Sequence, residues 1–244
     1  MTDRYAMTQS LTHGEYALAF AEFRNCTTEY ESTVAWVKSN AALFSFAQVQ
    51  HVLSVGGGTG NFDMMLYALM PRVKTYTVIE PNQEHIDAFK KETRENPVFK
   101  FVNANFSPTL QPGTQDLVLL SHCLYYMDRD VVLDAISKYA RSALILHNSE
   151  FGIDKLKKLF VPDHPYRYSS VDLEVDLGRR HYNFVKYRID SHVDVANPKD
   201  DLINFFLEHK ATEQKKSEVK QYLLNHFPDG KMYHPVDVIK IDFE

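Results

Sequence analysis

Val55-Gly56-Gly57-Gly58-Thr59-Gly60 is the stretch whose residue types and spacing say most about chemistry. It follows a short β-branched run, His51 to Val55, and opens an apolar pattern of helical period from Asn61 to Leu69. Glycine permits a tight strand-to-helix turn there and lets the backbone approach a ligand closely. The spacing is Gly-x-Gly-x-Gly with Asn61 behind it, so the last glycine of the usual dinucleotide fingerprint is absent. Glu80 closes the next strand-like run, Lys74 to Glu80. A carboxylate at that place can accept hydrogen bonds from both ribose hydroxyls of an adenosine ligand. A plain glycine turn with a surface glutamate fits the same residues, and so does a nicotinamide dinucleotide site.

Two later features favour S-adenosylmethionine, which carries no phosphate and needs no anion cradle. Asn105, after the third strand, can face the adenine amine. Asp116 opens the fourth strand, where an acid is frequent in methyltransferases and where turn or cap chemistry is the ordinary alternative. Ser121-His122-Cys123-Leu124-Tyr125-Tyr126 lies just past that strand, at the edge where open α/β sheets bind ligands. It is not the Asn/Asp-Pro-Pro-Tyr tetrapeptide of enzymes that methylate base or glutamine amides. His122 can accept a proton, since an unperturbed imidazole titrates near ~6.5. Tyr125 and Tyr126 can wall a pocket and hold a cationic amine by cation–π attraction. The competing reading puts one Tyr in the core and makes His122 a polar hinge.

These residues need a frame. Runs at 51–55, 74–80, 98–102, 116–121 and 142–147 read as strands. Helical patterns fall between them, from Asn82 to about Arg94 and from an Asp128 cap through Tyr139. Such alternation implies parallel strands with right-handed crossovers. Residues 13–46 read as two helices, the second capped by Thr27 or Thr28. In the last third, helices are expected at 151–160, from Ser170 to a stop at Gly178, from Asn197-Pro198 toward His209, and at 212–225. Strands are expected at 182–195 and 236–243, two late strands suited to an antiparallel edge.

Composition narrows the class. With 44% hydrophobic and 24% charged residues the chain reads as globular rather than disordered. A net charge of −5 without a long basic run argues against a nucleic-acid partner. Cys26 and Cys123 lie in unrelated contexts, which suits free thiols in a reducing compartment and no metal site. The first ten residues are polar and lack a signal-peptide core, and no apolar run is long enough to span a bilayer. A cytoplasmic monomer is expected.

Several stretches together resemble the histamine N-methyltransferase-like family of class I S-adenosylmethionine-dependent methyltransferases. They are His13-Gly14-Glu15-Tyr16 with Phe20, Asn25-Cys26-Thr27-Thr28-Glu29, Leu53 through Gly60, Glu80-Pro81, Leu124-Tyr125-Tyr126 and Asp154-Lys155-Leu156, in the family's order. They span most of the first 160 residues, and beyond them the match thins to a general plan. The resemblance implies a Rossmann-like α/β fold: a mixed, mostly parallel seven-stranded sheet with helices on both faces and an N-terminal helical cap. It implies one methyltransferase domain over 1–244, with the cap at 1–46, the cofactor core at 47–150 and a completing part at 151–244.

By the same resemblance Gly56, Gly58, Gly60, Glu80 and Pro81 hold S-adenosylmethionine, Ser121 lies against the adenosine, and His85 stands where the family has a cofactor-contacting Gln. Tyr16 and Phe20 line the acceptor pocket and Glu29 meets the amine. The departures fall on the acceptor side: His122 replaces a pocket Gln, Ile153 and Lys157 replace two pocket Trp, and His234-Pro235 falls near a substrate-contacting Asn. The implied activity is N-methylation of a small amine or imidazole, histamine-like, with Glu29 and His122 as the catalytic pair and no metal. Another small acceptor (a phenol, an amino acid, an alkaloid) and a non-catalytic cofactor-binding protein are the alternatives.

Overall fold

The computed structural model describes residues 9–109, 113–163 and 168–243. The chain divides into two units. The first comprises Met1–Ser32, Asn148–Ser169 and Asp190–Val236, and the second Thr33–His147, Ser170–Ile189 and Asp237–Glu244.

The second unit is built on a seven-stranded sheet. Its strands are β1 (His51–Val55), β2 (Thr75–Ile79), β3 (Phe99–Val102), β4 (Gln115–Ser121), β5 (Ala140–Asn148), β6 (Asn183–Ile189) and β7 (Val236–Asp242), in the order β3-β2-β1-β4-β5-β7-β6. The pairs β1–β2, β1–β4, β2–β3 and β4–β5 are parallel. Val52, Leu53, Val118, Leu119, Leu120 and Ile145 are almost wholly buried, which is why the central strands read as continuous apolar runs rather than alternating ones. Chain order reverses between β1 and β4, so the crevice at their C-terminal ends is the place where such a sheet binds a ligand.

The helices are α1 (His13–Cys26), α2 (Glu29–Ser39), α3 (Asn61–Tyr67), α4 (Gln83–Thr93), α5 (Arg129–Ile136), α6 (Ile153–Phe160), α7 (Ser170–Arg179), α8 (Asp200–Leu207) and α9 (Glu213–His226). Asn82 and Asp128 cap α4 and α5 through their side chains, as the sequence suggests. Thr12 and Glu15 add a reciprocal capping box at the start of α1. None of these helices is long and apolar enough to cross a membrane.

The first unit holds α1, α6, α8 and α9 around a core that includes Phe23, Ile153, Leu156, Val193, Phe206 and Met232. Two short antiparallel pairs tie it together, Gln9–Ser10 with His209–Lys210 and His192–Asp194 with Lys231–Tyr233.

Three expectations need correction. The run 182–195 is not one strand, because Ser191 turns its hydrogen bonds to His234 instead of the sheet. β6 therefore ends at Ile189 and a separate strand starts at His192. Gly178 does not stop α7, which continues to Arg179; the chain turns at His181 (φ +56°), and Arg180 is anchored on Asp130 and Asp134 of α5. The α5 helix ends at Ile136 rather than Tyr139, because β5 already begins at Ala140. Past β3, Asn103 ties back to the Glu80 and Pro81 carbonyls.

Candidate active site

The glycine turn sits at the end of β1, and each glycine answers a different constraint. Gly56, Gly58 and Gly60 all have positive φ (68°, 54° and 84°), a region that L side chains rarely adopt. A Cβ on Gly56 would stand 2.7 Å from Cys123 Cβ, and one on Gly60 2.2 Å from the Phe89 ring. Those two glycines let the turn pack against its own unit. A Cβ on Gly58 would meet nothing within 4 Å, so this residue presents bare backbone to open space.

Glu80 lies at the end of β2 and is itself held. Its Oε2 accepts from Gly58 N–H at 3.0 Å, its Oε1 from Asn82 N–H at 2.9 Å, and His85 Nδ1 lies 3.4 Å from Oε1. Burial works to raise the Glu80 pKa, but the His85 contact and the two amides outweigh it and hold the carboxyl below its usual range. The same contact raises the His85 pKa against the opposing effect of its partial burial. A carboxylate offers about four acceptor positions, so one stays open to a ribose hydroxyl beyond Gly58, Asn82 and His85, and the longer His85 contact is the one a second hydroxyl would replace. Free acceptor capacity on Glu80 beside the open face of Gly58 is what the ribose of S-adenosylmethionine requires, and the residues present fit that cofactor.

The other expected contacts of this unit are at the same sheet edge or near it. Pro81 and Asn105 are exposed, Ser121 ends β4, and Asn103 rather than Asn105 braces the Glu80-Pro81 bend. His122 follows β4 in the left-handed region (φ +51°), with its amide donating to Leu146 O at 3.1 Å. A non-glycine residue held there is strained, and such strain gathers at functional sites. Tyr125 and Tyr126 form an edge-to-face pair with centroids 4.5 Å apart, and Tyr125 also lies edge-on to His147. Tyr126 is 43% exposed and Leu124 beside it is buried, so this short turn shows aromatic surface outward from an apolar anchor. Asp116 takes the ordinary alternative: it accepts from the Gln50 and His51 amides and pairs with Arg141, at the opposite end of β4 from Ser121.

Sequence reading passed over Asp63, in the first turn of α3. It is buried, and Tyr76 Oη donates to its Oδ1 at 2.9 Å. Burial, opposed by hydrogen bonds from Ser54 and Tyr76, pushes its pKa up from 3.8 to about 6. A group that binds its proton more tightly in the fold adds stability below its unfolded pKa and loses it as pH rises through about 6. Asp63→Asn keeps the acceptor for Tyr76 and removes the ionisation. It is expected to stabilise the fold at pH 8 by up to roughly 3 kcal/mol for two pKa units, seen as a higher melting temperature, with the gain fading toward pH 4. Equal gains at both pH values in scanning calorimetry would refute the ionisation as the cause.

The remaining expected residues belong to the first unit. Tyr16 and Phe20, one helical turn apart on α1, stack at 6.3 Å with Phe205 beside both. Phe205 stacks on Phe23 at 4.4 Å, and Phe23 lies edge-on to His234. Phe20 is 43% exposed, so this aromatic row runs from solvent toward the interior.

Glu29 opens α2, where an acid meets the positive end of the helix dipole, yet it is 9% exposed and its Oε2 lies 3.2 Å from His234 Nε2. Short-strand register brings the two together. Thr27 bridges Val193, Thr28 N–H donates to His192 O, and His192 pairs with Tyr233, the residue before His234. The sequence signal for that strand was the Pro228-Asp229-Gly230 turn preceding it. Of the two departures on α6, Ile153 is core, and Lys157 is buried with its Nζ 2.5 Å from Glu208 Oε1.

Sheet order and glycine turn define a Rossmann-like fold of the class I methyltransferase type. Residues 52–143, less than half the chain, match the model of a family described as a methyltransferase domain. The YcgJ protein of Bacillus subtilis shares the fold at 14% identity and a TM-score of 0.57, over 84% of this chain and 97% of that one. A putative methyltransferase of Bacillus halodurans does so at 14% identity and a TM-score of 0.58, over 83% and 97%. The methyltransferase domain of bacterial CtHen1 covers 88% of this chain and 99% of its own at 10% identity and a TM-score of 0.52. No curated protein matches the chain in sequence. The matched domain and the fold imply S-adenosylmethionine as the cofactor.

Proposed function

We propose that the protein is an S-adenosylmethionine-dependent N-methyltransferase acting on a small amine or imidazole compound. The observation that carries this reading is the buried carboxylate of Glu29, in the same unit as the Tyr16–Phe20 stack. A buried carboxylate attracts a cation bearing N–H donors, and an aromatic face adds to that attraction.

In this reading Glu80 takes the ribose hydroxyls, with Pro81 and Asn103 setting the bend that aims it. Gly58 gives the ligand backbone contact, while Gly56 and Gly60 let the turn seat. His85, Ser121 and Asn105 border the nucleoside. When bound, the cofactor supplies a methyl group on a sulfonium, whose departure needs no protonation. The protein's work is therefore alignment, exclusion of water and removal of one proton from the amine. Glu29 holds the amine through its N–H, and His122 accepts the proton at an imidazole nitrogen. Tyr16 and Phe20 in the one unit, and Tyr125 and Tyr126 in the other, supply aromatic surface suited to excluding water.

Glu29→Ala is expected to raise the acceptor KM by about 10- to 100-fold, the loss of one charge-assisted hydrogen bond, without changing affinity for S-adenosylhomocysteine. A panel of amines, imidazoles and phenols, scored by S-adenosylhomocysteine release, checks both the acceptor class and this variant. Turnover of phenols alone, or an unchanged amine KM in Glu29→Ala, overturns the amine reading.

A further inference from the structure

We propose that Asp63 lets the cofactor site distinguish S-adenosylmethionine from S-adenosylhomocysteine, by placing a buried negative charge behind the glycine turn. The two ligands differ in one methyl group and in the positive charge of the sulfonium. A fixed anion close to the turn therefore favours the methyl donor over the spent product.

A chain of contacts ties Asp63 to the turn. A Cβ on Gly57 would stand 3.3 Å from Ser54 Oγ, so this hydroxyl backs directly onto the turn. Ser54 is buried on β1, and its hydroxyl donates to the Asp63 carboxylate. Tyr76 Oη, from β2, donates to Asp63 Oδ1 at 2.9 Å. Asp63 itself is 1% exposed and lies three residues beyond Gly60, which opens α3.

The charge of Asp63 has no counterpart in the protein. Its hydrogen bonds come from a hydroxyl, a phenol and its own amide, and no cation among the described residues pairs with it. The Glu80 carboxylate acts on it with like sign. Cys123, packed against Gly56, feels both carboxylates, so the two anions act across the turn. Held without a cation, a buried carboxylate costs the empty fold stability at neutral pH. A sulfonium bound at the turn is a cation suited to offset that charge, and burial limits the screening of their attraction.

Discrimination should therefore fade on acidification, as Asp63 takes up a proton near its raised pKa of about 6. Its titratable neighbours change little between pH 5 and pH 7.5. Burial pushes the Cys123 thiol up to about 12 and the Tyr76 phenol well above 10, so both stay neutral. Glu80, held below its usual range, stays ionised. His85 on α4, raised by Glu80, is the other group that changes charge near neutrality, and a substitution at Asp63 leaves it in place.

Calorimetry on the full chain without acceptor gives the ratio of the S-adenosylhomocysteine to the S-adenosylmethionine dissociation constant. In the wild type this ratio is expected to rise about fivefold from pH 5 to pH 7.5. Asp63→Asn, which keeps an acceptor for Tyr76, is expected to lower the ratio about fivefold at pH 7.5 and to match wild type near pH 5. The change should come from weaker S-adenosylmethionine binding, with S-adenosylhomocysteine held as in wild type. A wild-type ratio in the variant at pH 7.5, or equal weakening of both ligands as a merely structural role predicts, overturns the proposal. Should Asp63→Asn not fold, the Asp63 carboxyl resonance of the wild type decides. By linkage its titration midpoint lies lower with S-adenosylmethionine bound than with S-adenosylhomocysteine, and equal midpoints overturn the proposal.

Discussion

Replacing Glu80 by Ala is expected to weaken S-adenosylhomocysteine binding by at least about a hundredfold. The proposed contact is two hydroxyl donors on one anionic acceptor, and a hydrogen bond to a charged group contributes roughly 1.5–3 kcal/mol. Two such bonds correspond to about 10²- to 10⁴-fold in the dissociation constant. The variant also frees the Gly58 and Asn82 amides that now converge on Glu80, so the turn loses an anchor as well as the ligand's acceptor. Glu80→Gln, neutral but with one oxygen, should fall between the two. Calorimetric affinities within threefold of each other for Ala and wild type would remove Glu80 from the cofactor site.

The second large effect separates two glycines two residues apart, Gly58 and Gly60. Gly60→Ala drives a methyl into the face of Phe89, a buried ring that itself packs on Phe99 and Phe101 and has no room to retreat. Left-handed strain of about 1–2 kcal/mol adds to overpacking of about 1–3 kcal/mol. The melting temperature should fall by roughly 5–15 °C in a domain of this size. Gly58→Ala carries the strain without the clash. It should melt within about 5 °C of wild type yet bind S-adenosylhomocysteine at least about tenfold more weakly. The opposite pattern, with Gly58→Ala binding normally, would place the ligand elsewhere than the open side of the turn.

The sheet was largely legible in the sequence because its inner strands carry their signal locally. Residues 51–55 and 116–121 are short, apolar and bounded by turns, and Asn82 and Asp128 are caps that act within one helical turn. What was not legible depends on partners far along the chain. Ser191 breaks the run 182–195 by bonding to His234, and nothing near residue 191 announces that. The strands 192–194 and 231–233 are three residues each, too short to show a period. The candidate site divides the same way. Gly56 to Gly60 and Glu80 stand out as candidates by spacing alone. Glu29 was singled out by resemblance, whereas its neighbour His234 was located only where a family contact had been lost. Asp63 was invisible because a carboxylate one turn into a helix ordinarily faces solvent, and only burial beside Tyr76 makes it distinctive.

The place of β7 between β5 and β6 imposes an order on assembly. Strands β1 to β5 can pair as they leave the ribosome, since each from β2 onward lies beside one already made. β6 is synthesised nearly fifty residues before β7, its sheet neighbour among the described residues, and waits as an unclaimed edge through the making of α8 and α9. Until residues 236–242 emerge, that edge is open to pairing with other chains, and a slow stretch of translation just upstream of β7 would lengthen the exposure.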